Sequence, residues 1–205
     1  AYADRRVQAG EWKIFDQVPY LGVDVHGTTL GLVGFGRIGQ AVARRASGFD
    51  MRVLYHSRSR NLEQEKRLGV EWAPDLPPLL RESDFVSVHV PLTEVTRHMI
   101  GERELQQMKA GAFLINTSRG GTVDAVALRQ ALLAGTIAGA ALDVTEPEPI
   151  PLDDPLLSMD NVLVTPHLAA FSQEAGEKSR MFAITNSARV AGGDEPDSVV
   201  PSTDF

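Results

Sequence analysis

The sequence predicts an α/β fold of the Rossmann type, in which a doubly wound parallel sheet is covered by helices on both faces. From residue 29 onward, short apolar runs alternate with segments of helical periodicity. This alternation is typical of parallel strands joined by crossover helices. The runs are apolar throughout, as expected for strands buried on both sides. A glycine-rich turn at residues 34–39 separates the first run from the first long helical pattern.

Strands and helices are predicted in strict alternation over most of the chain. The predicted strands are Thr29–Val33, Met51–Tyr55, Phe85–Val90, Ala112–Asn116, Ile137–Val144 and Val162–Thr165. The predicted helices are Ile38–Phe49, Leu62–Leu68, Glu102–Met108 and Val123–Leu133. The first helix carries apolar residues at helical spacing. The proline-rich segment Glu146–Pro155 is expected to form a rigid loop.

The composition excludes several kinds of site and partner. The 205 residues contain no cysteine, which excludes disulfides, thiolate zinc sites and a cysteine nucleophile. No apolar run approaches the roughly 18 residues that a membrane span needs, so we expect a cytoplasmic protein without a membrane partner. The net charge is −7, and the excess acid after residue 142 speaks against a nucleic-acid partner. No residues have metal-ligand spacing, so no metal is expected.

The glycine-rich turn, Gly34-Phe35-Gly36-Arg37-Ile38-Gly39, has the spacing of a dinucleotide-binding loop. The first glycine would make the tight turn, the second would let the backbone approach a pyrophosphate, and the third would let the helix pack against the strand. The start of the helix would offer free N–H groups to the phosphates. A glycine-rich turn without a ligand is the structural alternative.

The loop after the second strand predicts which dinucleotide is bound. In NAD-binding domains, a carboxylate about 20 residues after the glycines accepts hydrogen bonds from the ribose hydroxyls. The sequence at this position is Ser57-Arg58-Ser59-Arg60, without a carboxylate. Two arginines and two hydroxyls would bind a 2′-phosphate. We therefore expect NADP(H) over NAD(H). If the loop is only a solvated turn, the site does not discriminate between the two cofactors, and NAD(H) remains possible.

Three polar segments follow later strand ends, where open parallel sheets bind ligands. Arg119 lies between small residues after the fourth strand and could hold a carboxylate or a carbonyl oxygen. His167 follows the last strand and is a candidate general acid and base. Glu148 lies in the proline-rich loop. Taken singly, these residues could cap a loop, sit in a turn, or be simply exposed.

Five segments together resemble the D-isomer-specific 2-hydroxyacid dehydrogenases, over essentially the whole chain. They are GFGRIG (34–39), VHVPLTEVTRHMI (88–100), INTSRGGTVD (115–124), AGAALDVTEPEP (138–149) and NVLVTPHLAAFS (161–172). Within that family, the loop HSRSR (56–60) most resembles that of the NADP-using glyoxylate and hydroxypyruvate reductases.

The resemblance implies an oxidoreductase that moves a hydride between a nicotinamide and a small 2-oxo or 2-hydroxy acid of D configuration. It makes Arg119 the residue that holds the substrate, His167 the proton donor, and Glu148, rather than Glu146, the acid beside His167. His89 is expected to be a wall of the cofactor site. The resemblance also implies the cofactor contacts. Arg37 and Ile38 would bind the pyrophosphate through their backbone N–H groups. Pro91 and Thr96 would flank the cofactor, and Thr117 and Asp143 would hold the nicotinamide.

The resemblance also implies a domain organisation. Residues 1–24 would form a linker helix (Tyr2–Phe15) and a crossover, residues 25–171 the dinucleotide-binding domain, and residues 172–205 a returning helix (Gln173–Val190) with a loose tail. The flanking helices would belong to a substrate domain whose N-terminal part we expect to be absent, so the isolated chain should be weakly active or inactive. A homodimer using Glu94–Gly120 is expected. The alternative function is a dinucleotide-sensing or interaction module without significant catalysis.

Overall fold

The computed structural model describes residues 2–12 and 21–199. The chain divides into two compact units, and the boundary along the sequence lies between His167 and Leu168. The first unit contains a seven-stranded parallel sheet with the strand order β3-β2-β1-β4-β5-β6-β7. Its strands are β1 (Thr29–Val33), β2 (Arg52–His56), β3 (Glu71–Trp72), β4 (Phe85–Val88), β5 (Phe113–Asn116), β6 (Gly139–Leu142) and β7 (Val162–Val164).

Helix α1 (Tyr2–Gln8) precedes the first strand. The helices that connect the strands are α2 (Arg37–Ala46), α3 (Leu62–Leu68), α4 (Leu76–Glu82), α5 (Glu102–Leu105) and α6 (Ala125–Leu133). Short 3₁₀ turns lie at Ser47–Phe49, Gly120–Thr122 and Pro155–Ser158. Asp124 is the N-cap of α6, and its carboxylate accepts hydrogen bonds from the N–H groups of Val126 and Ala127.

The two faces of the sheet are buried under different helices. Leu30 and Leu32 of β1 lie in one apolar cluster with Ala43 of α2. Val33 of the same strand lies in the other cluster with Leu79 of α4. Since successive strand residues point to opposite faces, this division shows a sheet covered on both sides. The predicted Rossmann-type doubly wound class is confirmed.

The carboxyl ends of the strands meet at one edge of the sheet, which we call the ligand edge. Backbone register pairs Val33 with Val88, Val88 with Asn116, Asn116 with Leu142, and Leu142 with Val164. The chain reverses its winding direction between β1 and β4, the place where open α/β sheets bind ligands. Neighbouring strands lie about 4.8 Å apart, so the ends of β5 and β7 are separated by about 10 Å.

Two elements were not predicted, β3 and α4. A strand of two residues is too short for a periodic signal, and the Leu-Pro-Pro start of α4 resembles a turn, although proline is well tolerated in the first turn of a helix.

Several predicted boundaries were too long. The strand predicted for Ile137–Val144 is limited to the residues that pair with β5 and β7. The strand predicted for Phe85–Val90 ends at Val88, and the helices predicted to reach Phe49 and Met108 become 3₁₀ or turn after Ala46 and Leu105.

The linker helix was also predicted too long. Helix α1 ends at Gln8 and not at Phe15, because Gly10 adopts a φ of +74°. The N–H groups of Ala9, Gly10 and Glu11 then bond back to the last helical carbonyls, as in a glycine-terminated helix. Phe15 itself lies outside the described residues.

The second unit consists mainly of helix α7 (Gln173–Ala191), which matches the predicted returning helix within one residue. Ser172 caps it through a hydrogen bond from the Ala175 N–H. After the helix, Asp197 pairs with Arg189 and donates its N–H to Asn186. Among the described residues, no helix combines the length and apolarity that crossing a bilayer requires.

Candidate cofactor and active site

The glycine loop joins β1 to α2 at the ligand edge. Gly34 has a φ of +101°, and a Cβ there would approach the His89 backbone to 2.8 Å. A Cβ at Gly39 would overlap the Gly34 carbonyl oxygen, whereas a Cβ at Gly36 would meet nothing within 4 Å. The first and third glycines are therefore required by packing. The second borders open space, which leaves room for a phosphate beside the backbone.

The start of α2 is suited to an anion. The helix begins at Arg37, its first turn contains no acidic residue, and no side chain caps it at Gly36. Free N–H groups and the positive end of the helix dipole thus face the glycine loop. Taken with the open space at Gly36, this region fits the pyrophosphate of a dinucleotide.

A cleft of about 620 Å³ lies over this loop and over the ends of β1, β2 and β4. Predicted cofactor residues from three separate loops line it: Gly34, Gly36, Ser57, Arg58, Arg60, Pro91 and Thr96. Its rim near β2 contains Arg58, which has no side-chain partner among the described residues, and Arg60, which pairs with Glu65 at 2.9 Å.

The loop after β4 is held by its own threonines. The Thr96 hydroxyl donates to the Pro91 carbonyl at 2.6 Å and accepts from the Thr93 N–H at 2.8 Å. His89 contacts the Ser87 hydroxyl at 2.9 Å, and burial lowers the pKa of His89, so the ring is neutral at pH 7. The loop and the ring together form a fixed wall of the cleft.

Arg119 is presented by a loop that Asn116 organises. The buried Asn116 amide donates to the Arg119 carbonyl at 3.0 Å and accepts from the Ser118 N–H at 3.0 Å. The Thr122 hydroxyl donates to the same carbonyl at 2.7 Å. The Arg119 guanidinium is exposed and bonds only to the Ser118 carbonyl, at 2.7 Å, within the described chain. Its charge is therefore available to a bound anion.

Sequence reasoning did not single out Asn116 as a residue that positions others. A polar side chain at the end of the apolar run AFLIN was the available signal, since buried amides in proteins are hydrogen-bonded.

His167 and Glu148 form a close pair beyond β7. Nδ1 of His167 lies 2.6 Å from Oε1 of Glu148. His167 adopts a φ of +51°, which is uncommon for a residue other than glycine, and its N–H donates to the Asp143 carbonyl at 2.9 Å. Because Nδ1 is hydrogen-bonded to the carboxylate, Nε2 is the ring nitrogen available for proton exchange.

The two side chains line a cavity of about 450 Å³ with Asp143 and Thr165. Asp143 is buried and accepts from the Thr165 hydroxyl at 2.6 Å. Thr117, which follows β5, is half-buried. Asp143 and Thr117 therefore lie after the adjacent strands β6 and β5, at the ligand edge.

Glu146 faces a different set of partners from those of Glu148. It pairs with Arg97 at 2.8 Å and with His98 at 3.1 Å. Its hydrogen bonds to His98 and Arg97 lower its pKa below the ordinary value of 4.5. This pairing ties the loop after β4 to the loop after β6, and it leaves Glu148 as the acid beside His167.

The Glu146 ion pairs predict a pH-dependent contribution to stability. With its pKa lowered in the folded state, Glu146 stabilises fully above pH 4.5 and loses this effect as the pH falls through the lowered value. Glu146→Gln is expected to lower the melting temperature by about 2 °C at pH 7, and the difference should shrink as the pH falls through the lowered pKa of Glu146. Calorimetry from pH 3 to 8 measures this.

The matched control is Glu94→Gln, since Glu94 is exposed and has no ion pair in the described part of the chain. A melting-temperature difference for Glu146→Gln that does not shrink between pH 7 and the acid end of the range would contradict the ion-pair assignment.

The structure thus places most of the predicted residues in two cavities along one edge. The predicted residues that line neither cavity are Arg37, Ile38, Gly39, Thr117 and Arg119. The cofactor residues of the glycine loop, the β2 loop and the β4 loop share one cleft, and Glu148, Asp143 and His167 share a cavity. Arg119 follows β5 and His167 follows β7, so one strand lies between the two loops. No cluster of metal-binding side chains occurs among residues 2–12 and 21–199.

Fold and site define a dinucleotide-binding α/β domain with a carboxylate–histidine pair at its ligand edge. The model of the D-isomer specific 2-hydroxyacid dehydrogenase NAD-binding domain matches residues 1–169. The chain belongs to the D-isomer-specific 2-hydroxyacid dehydrogenase family.

Individual relatives agree with this assignment. Glyoxylate reductase of Korarchaeum cryptofilum is 54% identical over 199 residues, which cover 97% of this chain and 60% of the relative. The TT0316 protein of Thermus thermophilus superposes with a TM-score of 0.91 at 42% identity, covering 97% of this chain and 62% of that one. D-lactate dehydrogenase of Lactobacillus jensenii with NAD⁺ gives a TM-score of 0.83 at 32% identity, covering 97% and 62%. The chain therefore spans about 60% of the curated relative's length.

Proposed function

We propose that this chain is the cofactor-binding part of an NADP(H)-dependent reductase of small 2-oxo acids, specific for the D configuration, with glyoxylate and hydroxypyruvate as the expected substrates. The observation that carries the proposal is the His167–Glu148 pair at 2.6 Å. It lies at the edge of the sheet that also carries the glycine-loop cleft. The relative from Korarchaeum cryptofilum is a glyoxylate reductase, which supports glyoxylate as substrate.

The side chains divide the chemistry between them. The Arg119 guanidinium would bind the carboxylate and the carbonyl oxygen of the 2-oxo acid, and it would stabilise the negative charge that develops on that oxygen. Nε2 of His167 would donate a proton to the oxygen during reduction and take it back in the reverse direction. Glu148 would hold the ring through Nδ1 and stabilise its protonated form.

The nicotinamide dinucleotide would supply the hydride from C4 of its ring. The first turn of α2, through Arg37 and Ile38, would bind the pyrophosphate. Ser57 and Arg58 would bind the 2′-phosphate, and Arg60 lines the same cleft. Pro91 and Thr96 would flank the cofactor, while Thr117 and Asp143 would orient the nicotinamide. The absence of a carboxylate in the Ser57–Arg60 loop favours NADP(H) over NAD(H).

The proposal includes the predicted organisation of the whole protein. Residues 25–171 would form the cofactor domain, flanked by the linker of residues 1–24 and the segment 172–205, and substrate enclosure would need a further domain. The protein would be a cytoplasmic homodimer. The alternative, a dinucleotide-sensing module, is disfavoured because Arg119, Glu148 and His167 are all present.

A chimera tests the proposed reaction. Residues 1–205 would replace the matching part of Korarchaeum cryptofilum glyoxylate reductase, and NADPH oxidation would be followed with glyoxylate and hydroxypyruvate. We expect turnover by the chimera and little or none by the 205-residue chain alone. A folded chimera that binds NADPH and reduces no 2-oxo acid would favour the sensing module.

Arg58→Ala is expected to weaken NADPH binding about tenfold and leave NADH binding within about twofold, because one charge-assisted contact to the 2′-phosphate is lost. Fluorescence titration of the 205-residue chain with each cofactor measures this. Arg44→Ala, on α2 and away from the residues lining the cleft, is the control. Equal losses for NADPH and NADH would refute the 2′-phosphate role.

A further inference from the structure

We propose that Glu65 is a specificity-determining residue that limits the preference for the 2′-phosphate by neutralising Arg60, so that Arg58 supplies most of the discrimination. This inference rests on the proposed NADP(H) site. Arg58 and Arg60 have the same charge and similar positions in the loop sequence, but the structure gives them different surroundings.

Arg60 is engaged by Glu65 along one edge of its guanidinium. Nε of Arg60 lies 2.9 Å from Oε1 of Glu65, and Nη2 lies 2.9 Å from Oε2. The guanidinium also stacks over the Trp72 ring, 5.3 Å from its centre. With a longer contact between Nε and Oε2 at 3.2 Å, three hydrogen bonds and a stacking contact hold the group in one geometry, with its charge balanced by an adjacent carboxylate.

Glu65 is itself anchored and cannot easily follow Arg60 toward a ligand. Its side chain is only 11% exposed, and Oε1 accepts from the Tyr55 hydroxyl at 2.7 Å. That hydroxyl in turn accepts from the Asn61 N–H at 2.8 Å. The Tyr55 ring is fully buried and stacks on Phe35 of the glycine loop, with centroids 3.9 Å apart. The carboxylate is therefore fixed to the core of the cofactor site.

Both members of the pair are charged at neutral pH. The hydrogen bond from Arg60 lowers the pKa of Glu65, and Glu65 raises the pKa of Arg60. A 2′-phosphate carries a charge between −1 and −2 near pH 7. It would meet Arg58, which has no partner in the described part of the chain, and a neutral Arg60–Glu65 pair. Removing the carboxylate would leave two uncompensated guanidinium groups in the same cleft.

The test measures binding of 2′,5′-ADP and 5′-AMP to the 205-residue chain, because these two ligands differ only in the 2′-phosphate. Glu65→Gln keeps an oxygen that can accept from Tyr55 and removes the charge. We expect it to raise the affinity ratio of 2′,5′-ADP to 5′-AMP about three- to tenfold, the size expected from one charge near a phosphate in a solvated site. Arg58→Ala should lower the ratio about tenfold.

The double variant Arg60→Ala/Glu65→Gln separates neutralisation from direct binding. If the pair is neutral toward the ligand, removing both members leaves the ratio within about twofold of the unmodified chain. If Arg60 instead binds the phosphate with Glu65 as a simple support, the double variant loses as much discrimination as Arg58→Ala. That outcome overturns the inference, as does an unchanged or lowered ratio for Glu65→Gln.

The outcomes also distinguish this inference from the proposed function. An unmodified chain that binds the two nucleotides equally overturns the proposed cofactor preference and the inference together. If the unmodified chain prefers 2′,5′-ADP and Glu65→Gln has the same affinity ratio of 2′,5′-ADP to 5′-AMP, only the inference is overturned. A purely structural role of Glu65 would lower the melting temperature and weaken both nucleotides alike, and this result also counts against it.

Discussion

Replacing His167 with asparagine in the chimera is expected to lower kcat for glyoxylate reduction by about 10²- to 10⁴-fold, the range found for loss of a positioned general acid. The asparagine side chain is uncharged and has no proton to transfer at neutral pH. NADPH binding should remain within about twofold, since the predicted cofactor contacts lie in other loops. Steady-state kinetics and fluorescence titration on the same preparation measure both quantities.

Glu148→Gln should show a smaller loss of kcat than His167→Asn, because Glu148 acts by holding the ring and balancing its charge. His26→Asn is the matched control. His26 is also an exposed histidine beside a carboxylate, 3.0 Å from Asp50, but it precedes β1 and lies away from the ligand edge. Comparable activity of the His167→Asn and His26→Asn chimeras would refute the assigned proton transfer.

Gly120→Ala is expected to lower the free energy of unfolding by about 3 kcal/mol, the upper range for overpacking a well-packed site. A Cβ at Gly120 would overlap the carbonyl group of Thr145 and would lie 2.8 Å from the backbone nitrogen of Glu146. Backbone atoms cannot rotate away as a side chain can, so the two loops would have to separate. Urea unfolding of the 205-residue chain, followed by circular dichroism, gives the difference.

Gly111→Ala is the control for Gly120→Ala. A Cβ at Gly111 meets nothing within 4 Å, so we expect the free energy of unfolding to change by less than about 0.5 kcal/mol. Gly120 directly follows Arg119, and the Thr145 loop leads to Glu148. The same substitution in the chimera should therefore also reduce activity. A Gly120→Ala chain as stable as Gly111→Ala would show that the close approach of the two loops is not required.

Much of the fold could be predicted because parallel strands and their helices leave strong local signals. The run TLGLV followed by GFGRIG determined both β1 and the start of α2, since apolar content, glycine spacing and helical periodicity all agree there. Glu71–Trp72 gave no such signal. This short strand exists because it pairs with Leu54 and Tyr55 of β2, and pairing between distant residues is not visible in a short window.

The candidate site shows the same division. Residue type and position after strand ends singled out Arg119 and His167, and the family resemblance singled out Glu148. The structure places Glu148 and His167 2.6 Å apart. Their catalytic roles remain predictions. The role of Asn116 was not predicted, because it depends on the hydrogen bonds of its amide to the backbone of the Arg119 loop, which only the structure shows.

The fold class, the family and the residue types available at the ligand edge can be predicted without a structure, since these depend on local periodicity and on short motifs. The pairing of the charges becomes visible only in the folded chain. In the sequence, Arg58 and Arg60 are equivalent, and only the family resemblance distinguishes Glu148 from Glu146. In the fold, Arg60 pairs with Glu65, and Glu146 pairs with Arg97 and His98. Electrostatic interactions depend on distances between atoms, and the folding of separate loops against one another sets those distances.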